Sequence, residues 1–427
     1  MGRFRRGRKL RASRRVSRLM AEHHYELNEA AAGRSRPVAW CSSVGPVELL
    51  RAMGFAVHFP ENHAALLGTS QQSASAIQAA SSAGISADAC SYTAADIGAH
   101  LMDSTPLSAF HVGNERYRPI ERVAAPDVLV ASTNQCVEIR RWFDFYSRRL
   151  GVPLLTLDGF VEVDQVTDGH VAFIAGQLRE LAERLQQVQG ALPAEEERLA
   201  EVVGLSRLCS DLWASCLETA AAAGSPWTFF DQLVAMGPAV VARGTEQAVS
   251  CYEELLDELE SRRSEGFARV DPEKHRLYWE GMPIWPALRE LESTFQALDI
   301  AVVASTYCGS WVFDALDADR PWESMARAYT ELFVCRSERI KGMRIASELD
   351  KYRCDGILWH DSRTCPANTN CRFGLQRRVT EDSGVPHLVL EADHTDPEQY
   401  STTRNAERIE AFAEQLDVVA EKNTPRR

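Results

Sequence analysis

The chain has 427 residues, of which 45% are hydrophobic and 25% are charged, and its net charge is −13. This length predicts two domains or lobes rather than one ordinary core, and the composition is typical of a globular protein. No stretch approaches 18 uninterrupted apolar residues, so no membrane-spanning helix is expected, and the acidic balance argues against binding to nucleic acid.

The charge is unevenly distributed along the chain. Residues 1–18 carry eight arginines and Lys9 but no acid, which leaves −22 for the rest. We interpret this segment as a solvated tail, with an acidic docking partner or a targeting peptide as alternatives, because it lacks the apolar core of a secretory signal. Without such a signal, the eleven cysteines predict a reducing, cytoplasmic location, where thiols serve metals, catalysis or packing.

Strands and helices alternate in the predicted structure of the first third of the chain. A helix over residues 15–31 comes first. A second helix begins near Pro46, which suits a first helical turn, and ends at Gly54. A third helix begins near Cys90 after a turn-rich stretch. Strands are predicted at residues 37–41, 55–59, 127–136 and 152–158. This alternation is typical of a parallel sheet covered by helices on both faces.

The pattern changes to long helical periodicity between Gly169 and about Arg269, and strands resume near His275. Further strands are predicted at residues 299–308, 356–359 and 387–390. A helix from about Phe373 separates the last two. We therefore expect a basic tail and helix over residues 1–31, a first α/β lobe over 32–168, a connecting helical block over 169–270 and a second α/β lobe over 271–427.

Three cysteines stand out by their position in these elements. Cys90 begins a helix, Cys136 follows a strand of the first lobe, and Cys365 follows a strand of the second. Open parallel sheets bind their ligands at the carboxyl ends of the strands, so these thiols are candidates for a shared site. Their separations of 46 and 229 residues do not match a compact CxxC zinc motif. Packing of small free thiols at the ends of elements is the alternative.

Five segments, in order over roughly residues 20–415, add a resemblance to a known family. They are PVAWCSSVGPVEL at 37–49, CSY at 90–92, PDVLVASTNQC at 126–136, RLYWEGMPIW at 276–285 and the run at 356–400. Together they resemble the 2-hydroxyacyl-CoA dehydratase and benzoyl-CoA reductase family. The resemblance implies an α/β fold of two flavodoxin-like lobes with parallel sheets and a [4Fe–4S] cluster in the cleft between them.

The resemblance also implies the ligands of this cluster. Matched by motif, they are Cys90, Cys136 and Cys365. Thiolates suit iron–sulfur clusters, and three ligands leave one iron open to water, substrate or another ligand. An open iron acts as a Lewis acid as well as an electron relay.

Other cysteines remain alternatives. Cys371 lies six residues after Cys365 and is a candidate to replace it or to add a fourth ligand. Cys41 and Cys308 end predicted strands, where core packing is the expected role. The interval between the first two expected ligands is longer than is common in the family, which predicts an insertion near residues 110–119.

Polar residues near the first strands are candidates for catalysis. The family has a serine and a glutamate near the substrate, and Ser43 and Glu61 match them. A carboxylate in a dry cleft has a raised pKa and serves as an acid or a base. His63 is a further candidate for polar contact. The alternative is that Ser43 or its neighbour Ser42 caps a helix and that Glu61 is a solvated loop residue.

The second lobe contributes aromatic and acidic candidates. Five aromatic residues are expected either to line an acyl pocket or to pack in the core: Tyr278, Trp279, Trp285, Trp311 and Trp359. Glu391 and Asp393 follow the last predicted strand, and we expect them to support the loop that carries Cys365.

The resemblance implies the iron–sulfur subunit of a 2-hydroxyacyl-CoA dehydratase, in which a low-potential electron generates a ketyl radical that expels the hydroxyl group of an acyl-CoA substrate. It also implies a related second large subunit and a separate ATP-hydrolysing iron–sulfur activator. A separate ATP-hydrolysing protein is consistent with this sequence, which contains neither a GxxxxGK[ST] phosphate loop nor a GxGxxG dinucleotide fingerprint. A benzoyl-CoA reductase subunit and an electron-relay partner without substrate are alternatives. A homodimeric relative that reduces small molecules through a larger cluster would need additional paired cysteine ligands, whereas the cysteines here are isolated. A zinc site is the weakest hypothesis, because the cysteine spacings do not suit one.

Overall fold

A computed structural model describes residues 10–109, 120 and 122–423. The first nine residues of the basic segment and the expected insertion at 110–119 lie outside the described residues. The strands are β1 (Val38–Cys41), β2 (Ala56–His58), β3 (Val128–Ser132), β4 (Leu154–Leu157), β5 (His275–Glu280), β6 (Ile300–Ser305), β7 (Gly356–Ser362) and β8 (His387–Ala392).

The helices within this part of the chain are α1 (Ala12–Gly33), α2 (Val47–Ala52), α3 (Pro60–Thr69), α4 (Ser73–Ser82), α5 (Ser91–Leu101), α6 (Val137–Leu150), α7 (Asp168–Leu185), α8 (Glu196–Glu218), α9 (Phe229–Ala235), α10 (Gly237–Val241), α11 (Glu246–Ser264), α12 (Leu288–Ala297), α13 (Thr306–Gly309), α14 (Pro321–Thr330), α15 (Glu338–Lys351), α16 (Leu375–Ser383) and α17 (Thr402–Asn423). Among the described helices, none has the length and apolar character needed to cross a bilayer.

The first sheet is parallel throughout, with strand order β2-β1-β3-β4. Trp40 of β1 stands in register with His58 of β2 and Leu129 of β3. Every residue of β1 and β3 is buried, because helices cover both faces of these central strands. This order is that of a flavodoxin-like lobe. The order in which strands are added to the sheet reverses beside the first strand, and this switch leaves a crevice at the carboxyl ends of the strands.

The second sheet repeats this topology, with order β6-β5-β7-β8 and all strands parallel. The predicted α/β fold of two flavodoxin-like lobes is therefore confirmed. Strand β7 is longer than the apolar run that predicts it, since His360 to Ser362 still pair with β8. The two sheets lie within the limits 32–168 and 271–427, which we retain as proposed domain boundaries.

The region predicted as turn-rich contains two helices, α3 and α4, so that prediction is wrong. The sequence of α4 is SASAIQAASS, in which serines resemble a loop but alanines favour a helix. Tertiary packing decides between the two, because α4 lies directly against α5. A Cβ atom at Gly98 of α5 would collide with the carbonyl of Ala76 in α4.

The helical block α7–α11 joins the lobes through a buried ion pair. Arg243, which follows α10, contacts Glu48 of α2 with 3.1 Å between Nε and Oε1, and the two side chains are 2% and 0% exposed. Tyr329 of α14, in the second lobe, donates its hydroxyl to Glu48. The guanidinium also donates to the carbonyls of Ser43 and Gly45, at 3.2 and 3.1 Å. These bonds hold the loop after β1 in place.

Candidate functional site

A cavity of about 360 Å³ lies between the two lobes. Residues that follow strands of both sheets line it, as expected for the carboxyl ends of parallel strands. The first lobe contributes Ser43 after β1, Glu61 after β2 and Cys136 after β3. The second lobe contributes Cys365 after β7 and His394 after β8. Both lobes therefore build one site.

The structure brings together the three predicted cysteines at the wall of this cavity. Cys90 precedes α5, Cys136 precedes α6, and Cys365 precedes the short 3-10 helix Pro366–Asn368. Burial raises the pKa of Cys90, and the neighbouring thiols of Cys365 and Cys136 raise it further. Burial also raises the pKa of Cys365 to about 12, with a contribution from Cys136. Each thiolate therefore disfavours the next.

This donor set fits an iron–sulfur cluster. A cationic metal group removes the repulsion between thiolates, and metal ligands bind in the deprotonated form. Although burial raises the pKa of Cys136, the backbone N–H groups of Ile139 and Glu138 at the start of α6 act in the opposite direction. In the described ranges, no group of three His, Cys, Asp or Glu side chains is arranged to hold a single metal ion. The support for a cluster is the chemistry of the donors, because iron–sulfur clusters are held by cysteine thiolates.

The alternative cysteines do not line the cavity. Cys371 is 5% exposed and packs in the core cluster instead. Burial raises the pKa of its thiol to about 12, and the nearby carboxylate of Asp361 contributes. Cys41 and Cys308 are both 0% exposed, so the expectation of core packing for them is confirmed.

Asp393 supports the loop that carries Cys365, as predicted. Its Oδ2 accepts hydrogen bonds from the backbone N–H and the hydroxyl of Thr364, at 3.0 and 2.6 Å. Thr364 in turn accepts from the N–H of Ser91, at 3.0 Å, so the loop is tied to the start of α5. Burial acts to raise the pKa of Asp393, but His394 and these hydrogen bonds outweigh it and hold the pKa low. Glu391 is exposed, and the same role for that residue stays a prediction.

Glu61 faces the cavity and is held by neighbouring groups of the first lobe. The backbone N–H of Ser43 donates to Oε2 at 2.5 Å, and the side chain of Gln135 donates to Oε1 at 3.0 Å. Burial raises the pKa of Glu61 despite these bonds. Neither Ser43 nor Ser42 caps α2, whose N-terminus has no side-chain cap. The carboxyl is thus placed beside Cys136 through its neighbour Gln135.

His394 is a site residue that sequence reasoning missed. Its Nε2 lies 3.8 Å from the sulfur of Cys90 and 3.1 Å from the hydroxyl of Ser91, while Nδ1 lies 2.9 Å from the hydroxyl of Ser362. Burial lowers the pKa of His394, against the opposing influence of Asp393. The only signal in the sequence is its position after the last strand, next to Asp393.

Aromatic side chains close part of the cavity. Trp285 donates its indole N–H to the hydroxyl of Tyr92, and its ring stands edge-on to that of Tyr307, with 5.8 Å between centroids. All three line the cavity, as does Trp311. The other aromatic candidates are buried in the core: Tyr278, Trp279 and Trp359.

A buried carboxylate, Asp96 of α5, joins three helices behind the cavity. Its Oδ1 lies 2.6 Å from Nδ1 of His63 on α3. Its Oδ2 accepts from the indole of Trp142, at 3.1 Å, and from the hydroxyl of Tyr146, both on α6. The second ring nitrogen of His63 contacts Thr105, at 3.0 Å. His63 therefore serves this network and does not line the cavity.

The three helices joined by Asp96 are those that place the candidate groups of the first lobe. Glu61 lies in the first turn of α3, and Cys90 and Cys136 immediately precede α5 and α6. The network therefore sets the relative positions of these groups.

Replacing Asp96 by alanine is expected to lower the free energy of unfolding by about 3 kcal/mol, because donors on His63, Trp142 and Tyr146 lose a buried acceptor. Asp88→Ala, at an exposed carboxylate before α5, is expected to change it by less than about 0.5 kcal/mol. Denaturant unfolding of the iron-free proteins measures both values. Equal stability of the two variants would contradict the role given to this network.

Glu280 is a second buried carboxyl in the cavity wall, at the end of β5. It is 1% exposed; Asn370 donates to its Oε1 at 2.7 Å, and Thr306 donates to Oε2. Burial raises its pKa from the ordinary 4.5 to about 7. The folded protein therefore keeps a proton on Glu280 at pH values where the unfolded chain has lost it.

This shift predicts a pH dependence of stability. The contribution of protonated Glu280 is fully present below about pH 4.5 and is lost as the pH rises through about 7, so the wild type is expected to lose roughly 2–3 kcal/mol between pH 5 and 8. Glu280→Gln is expected to lack this component. Denaturant unfolding of both proteins at the two pH values measures it, and parallel pH profiles would refute the assignment.

Comparison with known proteins finds one family model and several relatives that cover most of the chain. A family model described as 2-hydroxyglutaryl-CoA dehydratase, D-component, matches residues 42–416. The chain is 28% identical to the (R)-2-hydroxyisocaproyl-CoA dehydratase alpha subunit of Clostridioides difficile, over 94% of this chain and 95% of the relative. It is 25% identical to the alpha subunit of lactoyl-CoA dehydratase from Anaerotignum propionicum, over 91% and 92%. It is 27% identical to a benzoyl-CoA reductase subunit of Thauera aromatica, over 87% and 86%.

Proposed function

Because the chain belongs to the 2-hydroxyglutaryl-CoA dehydratase D-component family, we propose that it is the iron–sulfur subunit of a 2-hydroxyacyl-CoA dehydratase. The observation that carries the proposal is the meeting of Cys90, Cys136 and Cys365, from both lobes, at one cavity wall. The reaction removes the hydroxyl group from C2 and a proton from C3 of the acyl chain. It yields a 2-enoyl-CoA and water.

The three thiolates are proposed to hold a [4Fe–4S] cluster. When bound, such a cluster supplies a low-potential electron and, at an iron without a cysteine ligand, a Lewis acid. The chain's own part is to keep water from the reacting carbon. Tyr92, Trp285 and Tyr307 do so by forming an interlocked aromatic wall of the cavity.

Glu61 is proposed to move the proton. Its raised pKa leaves the carboxyl protonated to a higher pH than an ordinary glutamate, so it donates to the hydroxyl that leaves C2. The proton lost from C3 restores the carboxyl, and the atoms balance as one water. The N–H of Ser43 and the amide of Gln135 orient both carboxyl oxygens.

Two protein partners are proposed as well. The similar dehydratase proteins are named as subunits, which supports a related second large subunit. An ATP-hydrolysing iron–sulfur activator is proposed because this sequence contains no phosphate-binding loop of its own. The eleven free cysteines fit a reducing cytoplasm.

An anaerobic assay tests the function. The chain, co-purified with its partner subunit, is supplied with activator, ATP and 2-hydroxyacyl-CoA thioesters, and formation of 2-enoyl-CoA is expected. Similarity to the benzoyl-CoA reductase protein of Thauera aromatica makes ring reduction the second candidate, so benzoyl-CoA is assayed in parallel. Reduction of benzoyl-CoA without dehydration would replace the proposal. A cluster spectrum that no thioester perturbs would favour an electron-relay subunit.

A further inference from the structure

We propose that the acyl group of the substrate is neutral, apolar and bulky, with a branched aliphatic or aromatic substituent at C3 rather than a carboxylate. The inference rests on the proposed function and deepens it, since it concerns the same cavity. Two independent properties of the cavity wall support it: its apolar surface and its charge.

Much of the apolar wall comes from elements other than those that carry the thiols. It includes six buried side chains from α1, α9, the α9–α10 junction, α10, the segment after α13 and the 3-10 helix Phe333–Cys335: Met20, Leu233, Met236, Val240, Trp311 and Phe333. A substituent that covers this wall removes apolar surface from water on both sides of the contact.

A small substituent would leave most of this wall facing water. Hydrophobic pockets distinguish substrates that differ by one methylene by about tenfold or more. A lactoyl group carries only a hydrogen where the proposed substrates carry an isopropyl or phenyl group at C3. It therefore lacks several methylene-sized contacts with the apolar wall.

The charge of the wall disfavours an anionic substituent. Of the described residues that line the cavity, none is a lysine or an arginine, so the wall offers no permanent cation to a bound carboxylate. His394 is the remaining basic side chain of this set, and its Nδ1 already lies 2.9 Å from the hydroxyl of Ser362 and 3.5 Å from the carboxylate of Asp393, so it is not available to pair with a substrate carboxylate. A terminal carboxylate, as in a 2-hydroxyglutaryl group, would be desolvated without a cationic partner.

The test uses the holoenzyme, with partner subunit, activator and ATP, and five 2-hydroxyacyl-CoA substrates. They are the lactoyl, pentanoyl, 4-methylpentanoyl, 3-phenylpropanoyl and glutaryl compounds, of which the pentanoyl chain is the uncharged match for glutaryl. The expected kcat/KM for the 4-methyl and 3-phenyl compounds is at least about tenfold above that for lactoyl-CoA. The pentanoyl compound is expected to exceed the glutaryl compound by more than about a hundredfold.

A matched pair of variants tests the charge directly. Val234 lines the cavity and is 55% exposed, so Val234→Arg adds a cation at the rim without burying it. The ratio of glutaryl to pentanoyl kcat/KM is expected to rise about fivefold, the effect of an exposed ion pair. Leu208→Arg on α8, at a site that is 45% exposed and away from the cavity, is expected to leave the ratio unchanged.

The outcomes separate the two proposals. Preference of the wild type for glutaryl-CoA or lactoyl-CoA, with normal dehydration, overturns the substrate class and leaves the proposed function standing. If the holoenzyme, supplied with partner subunit, activator and ATP, dehydrates none of the five substrates, both proposals are overturned. An equal change of the ratio in the two arginine variants overturns the charge argument.

Discussion

Replacing Cys365 by serine is expected to remove most of the iron from the protein purified without oxygen, from about four irons per chain to near zero. A serine hydroxyl does not ionise near neutral pH and is a poor ligand for a cluster held by thiolates. Cys371→Ser is the matched control, because Cys371 lies six residues away in the same loop region but does not line the cavity. It is expected to retain its iron. Iron and sulfide analysis with EPR spectroscopy measures both variants.

The other outcomes of that experiment are informative. Loss of iron in Cys371→Ser alone would move the ligand to that residue. Loss in both variants would indicate four protein ligands, which closes the cluster to substrate and favours the relay function. An iron-free wild type, from a strictly anaerobic preparation, would refute the cluster.

Replacing Glu61 by glutamine is expected to lower kcat by about 10²–10⁴-fold while the iron content stays unchanged. Glutamine keeps a side-chain oxygen for the N–H of Ser43 but exchanges no proton at that position. Because the acid form is the active one, wild-type activity is expected to fall as the pH rises through the raised pKa of Glu61. The glutamine variant is expected to lack that limb of the pH profile.

Ser43→Ala tests whether the hydroxyl of Ser43 is itself needed for catalysis. The hydrogen bond to Glu61 comes from the backbone N–H of residue 43, which alanine retains. Its kcat is therefore expected to fall by less than about tenfold, well below the loss predicted for general acid catalysis. Wild-type activity in Glu61→Gln would place the proton transfer elsewhere, and Glu280 would be the next carboxyl to test.

Local pattern was sufficient for much of the fold. Continuous apolar runs such as Val128–Ser132 are strands buried on both faces, and their alternation with helices predicted the parallel sheets. The local pattern predicted turns instead of the helix Ser73–Ser82, because alanine and serine give conflicting signals there. That helix depends on its contact with α5 at Gly98, a contact between segments that no local window contains.

The candidate site shows the same division. The positions of Cys90, Cys136 and Cys365 at the ends of elements, together with the family resemblance, predicted them as a group. Their spacing carries no such information, because 46 and 229 residues separate them. Only the packing of two lobes against a helical block brings their thiols to one wall.

Side chains that act through contacts made in the folded state were beyond sequence reasoning. His394 reaches Cys90 across 304 positions of sequence, and Glu280 is an unusual acid only because burial raises its pKa. The sequence by itself established two α/β lobes, the family and the residue types at the strand ends, since periodicity and motif are local properties. The tertiary structure alone determined which of those residues face one cavity, how apolar its wall is and which carboxyls it buries, because these properties depend on contacts between segments far apart in the chain.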